Sequence, residues 1–392
     1  MFDRSRRGGR LILRVLTGVV SGLIGYLALF RPPAFPLWYV RLGVTEWGYW
    51  LAPLLLLPLL RPARRLLGWA TWPLSGAVLL ALAPLVQAQL LARTLPERLT
   101  SAFGAVEMPT TPGAPIRPAP LVAADLFRGI ALANIAVEHL VYAERNDQAL
   151  ALDLYRPPNT ETSPSPLVLV IHGGSWQSGN SMVLPELNRY LAARGYVVAA
   201  INYRFAPQHP FPAASDDVQA ALAFLKQHAG EFGIDPARTA LIGRSAGAQL
   251  ALLAAYTLDD PAIRGVVSFY GPTDMNWGYD HPANPAVIDT TGVLESYLGG
   301  TPAQVPQTYE LASPINVVNP TTPPTLFIHG TKDEMVFLEN SERLAARLAE
   351  AGRPHLVLAL PWASHAADAN LNGPSGQLSV YAIERFLAAV FR

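Results

Sequence analysis

The chain has 392 residues, no cysteine, and 29 basic against 29 acidic residues, so its formal charge is zero. That excludes disulfides, thiolate metal sites, a cysteine nucleophile, and a global basic field that could hold a nucleic-acid backbone. Hydrophobic residues make up 51% and charged residues 15%, against roughly 25% charged in a typical soluble domain, which excludes a disordered chain and points to a part that lives outside water.

The apolar excess lies at the front. Residues 11–30 carry one charge, Arg14, and reach the ~20 residues that a bilayer-spanning helix needs. Arg14 is near enough to the end to snorkel. Residues 66–92 carry no charge, and Trp69 and Trp72 stand near their start, where interfacial aromatics belong. Between them, residues 47–60 are uncharged but short and interrupted by Pro53 and Pro58; extending them to residue 42 gives a spanning length and takes in Glu46. The expectation is therefore a membrane region over 1–104 with spans near 11–30, 42–60 and 66–92.

A cleaved signal peptide is the alternative for the first segment, since Arg4, Arg6, Arg7 and Arg10 precede it. Arg31-Pro32-Pro33 follows it in place of a small-residue cleavage site, and two more apolar runs come after. Buried core helices are a second alternative, but these segments carry no polar face. The basic residues set the orientation. Arg4 to Arg10 and the cluster Arg61, Arg64 and Arg65 belong in the cytoplasm, against Arg31, Arg41, Arg93 and Arg98 on the other side. With three spans, everything beyond residue 92 is extracytoplasmic; if the middle segment does not cross, the parity reverses.

Residues 108–120 read M-P-T-T-P-G-A-P-I-R-P-A-P, a proline-rich linker, so a domain boundary is expected over 105–120 and a separate domain over 121–392. In that domain, apolar runs at 135–144 and 149–155 flank Arg145-Asn146-Asp147-Gln148 as a hairpin. Further short apolar runs follow at 167–171, 196–201, 239–242, 265–269, 325–329 and 356–360. Helical patterns occupy 184–194, 213–229, 246–256, 339–351 and 377–391. Apolar strands separated by amphipathic helices give an α/β fold, a mostly parallel mixed sheet with helices on both faces. Ligands of such sheets bind at the carboxyl ends of the strands.

Three turns there carry chemistry. Gly243-Arg244-Ser245-Ala246-Gly247 follows one strand and opens a helix, the setting of a nucleophile elbow. Its glycines allow a turn sharp enough to expose the Ser245 hydroxyl at a helix N-terminus, whose amides favour developing negative charge. His172-Gly173-Gly174-Ser175-Trp176 follows an earlier strand; the amides of Gly173, Gly174 and Ser175, with that of Ala246, are the candidate oxyanion donors, and His172 is structural. His329-Gly330-Thr331-Lys332-Asp333 and Trp362-Ala363-Ser364-His365 follow the last two strands. Ser245, Asp333 and His365 thus stand in the chain order of a nucleophile–acid–base triad. Asp274 is the rival acid, and His139, His228, His281, His329 and His355 are poorer bases by position. No spacing suggests a metal site.

From residue 136 onward the chain resembles the α/β-hydrolase superfamily, in particular the hormone-sensitive-lipase-like and BD-FAE-like carboxylesterases. The resemblance rests on Leu152-Asp153-Leu154-Tyr155-Arg156-Pro157, H-G-G-S-W, the run from Asn202 to Ala213, G-R-S-A-G, and the Asp333 and His365 turns. It implies hydrolysis of small or medium acyl esters through an acyl-serine, with no cofactor. The partner it implies is a small-molecule ester; the apolar region, outside the resemblance, adds a lipid bilayer, and neither nucleic acid nor a known protein partner is expected. The chain departs from the pattern at Ser175, Asn202, Arg244 and Ala248-Gln249. Ser175-Trp176 resembles the branch that includes arylformamidases, which keeps an amidase or a peptidase as an alternative. A catalytically silent hydrolase fold acting as a binding module is the alternative of another class. Trp176, Arg244 and Trp277 are expected at the substrate pocket, and residues 272–319, with Trp277, Tyr279, His281 and Tyr297, are long enough to form a lid.

Overall fold

The computed structural model describes residues 2–108, 115–145, 148–158 and 163–392, and of residues 2–6 the backbone alone. Part of the proline-rich stretch (109–114) and the hairpin tip (146–147) lie outside the described residues.

Every apolar run after residue 135 forms a strand. One eight-stranded sheet contains β1 (Val137–Arg145), β2 (Gln148–Tyr155), β3 (Ser165–Ile171), β4 (Val197–Ile201), β5 (Ile234–Arg244), β6 (Ile263–Phe269), β7 (Thr325–Gly330) and β8 (His355–Leu360). Their order is β1-β2-β4-β3-β5-β6-β7-β8; β1 and β2 are antiparallel to their neighbours and the rest are parallel. Ile171 lies level with Gly243, so the turn after β3 and the elbow after β5 leave the sheet side by side.

The side-chain period of two splits β3 between two cores. Leu167, Leu169 and Ile171 face one layer, while Val168 and Val170 face the other. The N-terminal region supplies part of that second layer. It begins with α1 (Phe2–Leu29) and α2 (Phe35–Trp47), passes through a 3₁₀ stretch (Gly48–Leu59), and ends in α3 (Thr71–Phe103). In the second layer α3 joins α4 (Glu186–Ala192) and α8 (Pro374–Val390), whereas α5 (Ala213–Gln227), α6 (Ala246–Thr257) and α7 (Glu339–Glu350) cover the first.

Two expectations are corrected here. The first concerns the boundary at 105–120. Ala88, Ala92, Leu95 and Leu99 of α3 are buried in the sheet domain's core, and Arg98 Nη2 donates to Val357 O at 2.7 Å. Arg117, in the proline-rich stretch, is buried too, its N–H on the Glu384 carboxylate and its Nη1 3.1 Å from Asp125 Oδ2. The packed domain therefore begins inside the third apolar segment. A helix apolar all round has the same composition whether it faces lipid or a core, so composition could not divide it.

The second concerns the bounds of the middle span, expected over 42–60. Among the described residues, the two helical stretches long and apolar enough to cross a membrane are Arg7–Leu29 and Arg61–Phe103. The middle segment is instead split at Trp47, with Arg41 and Glu46 of α2 buried against the sheet domain. Beyond it, Pro53 and Pro58 remove two amide donors, and the chain takes the tighter 3₁₀ path. That path runs back along the bundle. At one end Arg14 donates to Leu66 O and Arg65 O; towards the other, Gly25 packs on Leu80 and Gly48 on Ala81. The flank so formed exposes Leu11, Ile12, Leu16 and Val19 of α1 with Trp72, Leu79 and Val86 of α3.

The long connection from β6 to β7 is ordered. It holds helices Met275–Asp280, Thr290–Leu298 and Pro306–Leu311 and lies over the carboxyl edge of the sheet.

Candidate active site

β5 and α6 meet at Ser245, whose φ of 51° and ψ of −121° lie in a region that L-residues rarely occupy. Such strain costs of order 1–3 kcal/mol and persists where the surroundings over-determine it. Here they do. A Cβ at Gly243 would fall 2.2 Å from Gly247 O, and one at Gly247 would fall 2.3 Å from Ile171 O and His172 O. Only glycine lets the elbow nest on the turn after β3. The Ser245 N–H is fixed on Phe269 O at 2.9 Å, and its side chain stands at the N-terminus of α6, where the dipole favours an anion.

His365 Nε2 is 3.0 Å from Ser245 Oγ, and His365 Nδ1 is 2.8 Å from Asp333 Oδ2. Asp333 is itself fixed. Its Oδ1 accepts the N–H groups of Met335 and Val336 at 2.9 Å each, and its Oδ2 lies 3.4 Å from His329 Nε2. Burial works to raise the Asp333 pKa, but His365 and His329 outweigh it and hold the carboxyl well below the usual range. Burial pulls the His365 imidazole down, yet the Asp333 charge, their hydrogen bond and the nearby Glu334 leave it above its ordinary value. With Nδ1–H donating to Asp333, Nε2 is free to accept the Ser245 proton.

An apolar cavity opens over these groups. Trp176, Trp277, Ile288, Val293, Leu294 and Phe337 supply most of its wall, and Ser175, Ala246, Ser245 and His365 its floor. Of the four expected oxyanion donors, Ser175 and Ala246 line this cavity. Gly173 packs beneath, against Arg244 O and Ser245 Cβ, and Gly174 lies against Ser178. Trp176 and Trp277 are at the cavity as expected, Trp176 stacked on Tyr297 at 4.1 Å and Trp277 on His281 at 4.5 Å.

Arg244 is not at the cavity. It is buried behind the elbow, its Nε 2.5 Å from Asp368 Oδ2, while the Tyr270 hydroxyl donates to Asp368 Oδ1 at 2.5 Å. The Tyr270 ring packs on His365 at 4.5 Å, so this cluster backs the imidazole. Arg244 is the last residue of β5, level with Phe269, so the alternation of that strand sets its direction, which chain order alone does not reveal. Asp274 is elsewhere, capping helix Met275–Asp280 through Trp277 N and pairing with Arg343. His172 bonds Gly173 O and stacks on Tyr203 at 4.4 Å; burial pushes its pKa down to about 4. Sequence reasoning missed Tyr270, Asp368 and Glu334, isolated polar residues in no recurring pattern.

Comparison with known proteins gives the family. Residues 152–348 match the BD-FAE family profile. The chain is 30% identical over 312 residues to the probable carboxylic ester hydrolase LipM of Mycobacterium tuberculosis, covering 76% of this chain and 70% of the relative. It is 32% identical over 279 residues to the esterase LipC of the same organism, covering 66% and 68%. Among solved structures, a bacterial heroin esterase superposes with a TM-score of 0.59 at 23% identity, over 67% of this chain and 86% of that one. A truncated carbohydrate esterase from gut microbiota gives 0.55 at 21%, over 66% and 97%. The chain belongs to the BD-FAE family and is an α/β-hydrolase-fold carboxylic ester hydrolase.

Proposed function

We propose that this carboxylesterase is anchored in a membrane by its N-terminal helices and cleaves small or medium acyl esters through an acyl-Ser245 intermediate. The observation that carries the chemistry is the hydrogen-bonded series from Ser245 Oγ through His365 to Asp333 on the floor of an apolar cavity. Ser245 Oγ attacks the ester carbonyl carbon while its proton passes to His365 Nε2. The oxyanion so formed is met by the Ser175 and Ala246 amides and the N-terminus of α6. Collapse breaks the bond to the alcohol, which leaves with the imidazolium proton. Water then gives a proton to His365, attacks the acyl carbon and releases the acid, restoring Ser245. No Asp, Glu, Lys or Arg is among the residues lining the cavity, which suits an uncharged acyl group.

Kinetics of the purified full chain in detergent with p-nitrophenyl butyrate test this. Ser245→Ala is expected to lower kcat on the order of 10⁴–10⁶-fold. Turnover of anilides in preference to esters would favour the amidase or peptidase reading. Tight ligand binding without any hydrolysis would favour the binding module.

The anchoring rests on the exposed apolar flank of α1 and α3 and on the charges at its ends. From Arg10 to Arg31 α1 and its exit rise about 30 Å, the thickness of a hydrocarbon core. Arg14, Arg64 and Arg65 gather at the end remote from the sheet domain, while Arg31 lies over the Phe337 ring at the cavity. The 3₁₀ stretch returns along α3, so in this reading the chain passes the apolar layer three times, with its basic end cytoplasmic and its catalytic domain outside.

A further inference from the structure

We propose that α2 positions the base of this active site: Arg41 and Glu46 clamp the loop that carries His365. The inference rests on the role of His365 given above and adds two positioning residues from a segment that chain order assigns to the membrane region.

Both side chains are wholly buried. Arg41 Nη2 donates to Trp362 O at 3.2 Å, while its Nη1 donates to Leu27 O at 2.7 Å and to Phe30 O. One guanidinium thus ties the carbonyls at the end of α1 and just beyond it to the first residue of Trp362-Ala363-Ser364-His365. Glu46 holds the other side of the same tryptophan. Its Oε1 accepts the Ser375 hydroxyl at 2.8 Å, and Ser375 Oγ in turn accepts the Trp362 indole N–H at 2.9 Å. The Glu46 carbonyl accepts Asn370 Nδ2 at 2.8 Å. Trp362 is therefore fixed at its backbone and at its ring, three residues before His365.

The next contacts lead into the site. Ser364 Oγ donates to Glu334 Oε1 at 2.6 Å, and Glu334 adjoins Asp333. Burial and the Asp333 charge push the Glu334 carboxyl up to about 7, with Ser364 and Arg41 opposing them. Packing alone does not account for Arg41 and Glu46. Apolar residues of similar volume hold a helix against a core as well as buried polar groups do, and without the desolvation cost. What the two polar side chains add is direction, since Arg41 fixes Trp362 O and Glu46, through Ser375, fixes the indole N–H. A base displaced by about 1 Å can lose about 10²-fold in rate.

The test uses the full chain in one detergent, with kcat and KM on p-nitrophenyl butyrate and sites counted by exhaustive fluorophosphonate labelling. Arg41→Met and Glu46→Leu are expected to lower kcat per labelled site about 10- to 100-fold with KM within about twofold. Arg41→Lys and Glu46→Gln, which keep a donor or an acceptor in place, should recover most of it. Ser375→Ala deletes one hydroxyl from the Glu46 relay, guards against variants that do not fold, and should lower kcat several-fold. Unchanged kcat per site in these variants, or a loss confined to the number of sites or to the melting temperature, would overturn the proposal. A wild-type chain that neither turns over the ester nor takes the label would instead remove the role of His365 itself.

Discussion

Asp368→Leu is the perturbation whose cost follows most directly from the packing. Arg244 and Asp368 form an ion pair at 2.5 Å with side chains 3% and 5% exposed, and Arg244 Nη1 already has no partner. Removing the carboxylate leaves a buried guanidinium without its counter-charge, which costs about 3–5 kcal/mol. Tyr270 also loses its acceptor, a further cost of about 1–3 kcal/mol that overlaps the first because the groups share one carboxylate. At about 2–4 °C per kcal/mol for a domain of this size, the melting temperature should fall by roughly 6–20 °C. Arg244→Met with Asp368→Leu removes both charges together and should melt close to the wild type. Circular dichroism of the four proteins in one detergent reads the cycle. Because Arg244 lies behind the elbow, Arg244→Met should leave KM for p-nitrophenyl butyrate within about twofold. An Asp368→Leu protein that melts like the wild type, or a double variant as unstable as the single one, would refute the reasoning.

The raised pKa of His365 predicts an acid limb of kcat/KM above the ordinary ~6.5, because the imidazole must be neutral to take the Ser245 proton. Asp333→Asn removes the main influence holding it up and should move the limb to lower pH; a wild-type limb at or below the ordinary value would contradict the assignment. Leu95→Ala should destabilise the protein by about 2–5 kcal/mol in denaturant titrations, as a fully buried core leucine does. An unchanged midpoint would return residues 88–99 to the membrane region. Alkaline phosphatase fused after Arg392 should be active in bacterial cells and a cytoplasm-only fluorescent reporter dark; the reverse would overturn the three-pass orientation.

The sheet was legible because each strand is a short apolar run bounded by turn residues, and because parallel strands buried on both faces need no alternation. Ser245, Asp333 and His365 were legible for a related reason: each follows a strand, so local sequence marks its place at the carboxyl edge. The N-terminal helices were legible as apolar but not as neighbours. Ala88 to Leu99 would look the same against lipid, and the packing of α2 depends on contacts between residues some 320 apart, such as Arg41 with Trp362. Arg244 was misplaced because its side-chain direction follows from the register of β5, where it lies level with Phe269, and not from its neighbours in the chain. The same is true of Tyr270 and Asp368, which meet only after β6 and the turn beyond β8 are folded.

Peptide mass spectrometry of the full chain after reaction with a fluorophosphonate tests the proposed chemistry most directly. The expected result is one phosphonyl adduct on Ser245, absent in Ser245→Ala and formed far more slowly in His365→Ala. An adduct on another serine, or ester turnover that persists in Ser245→Ala, would contradict it.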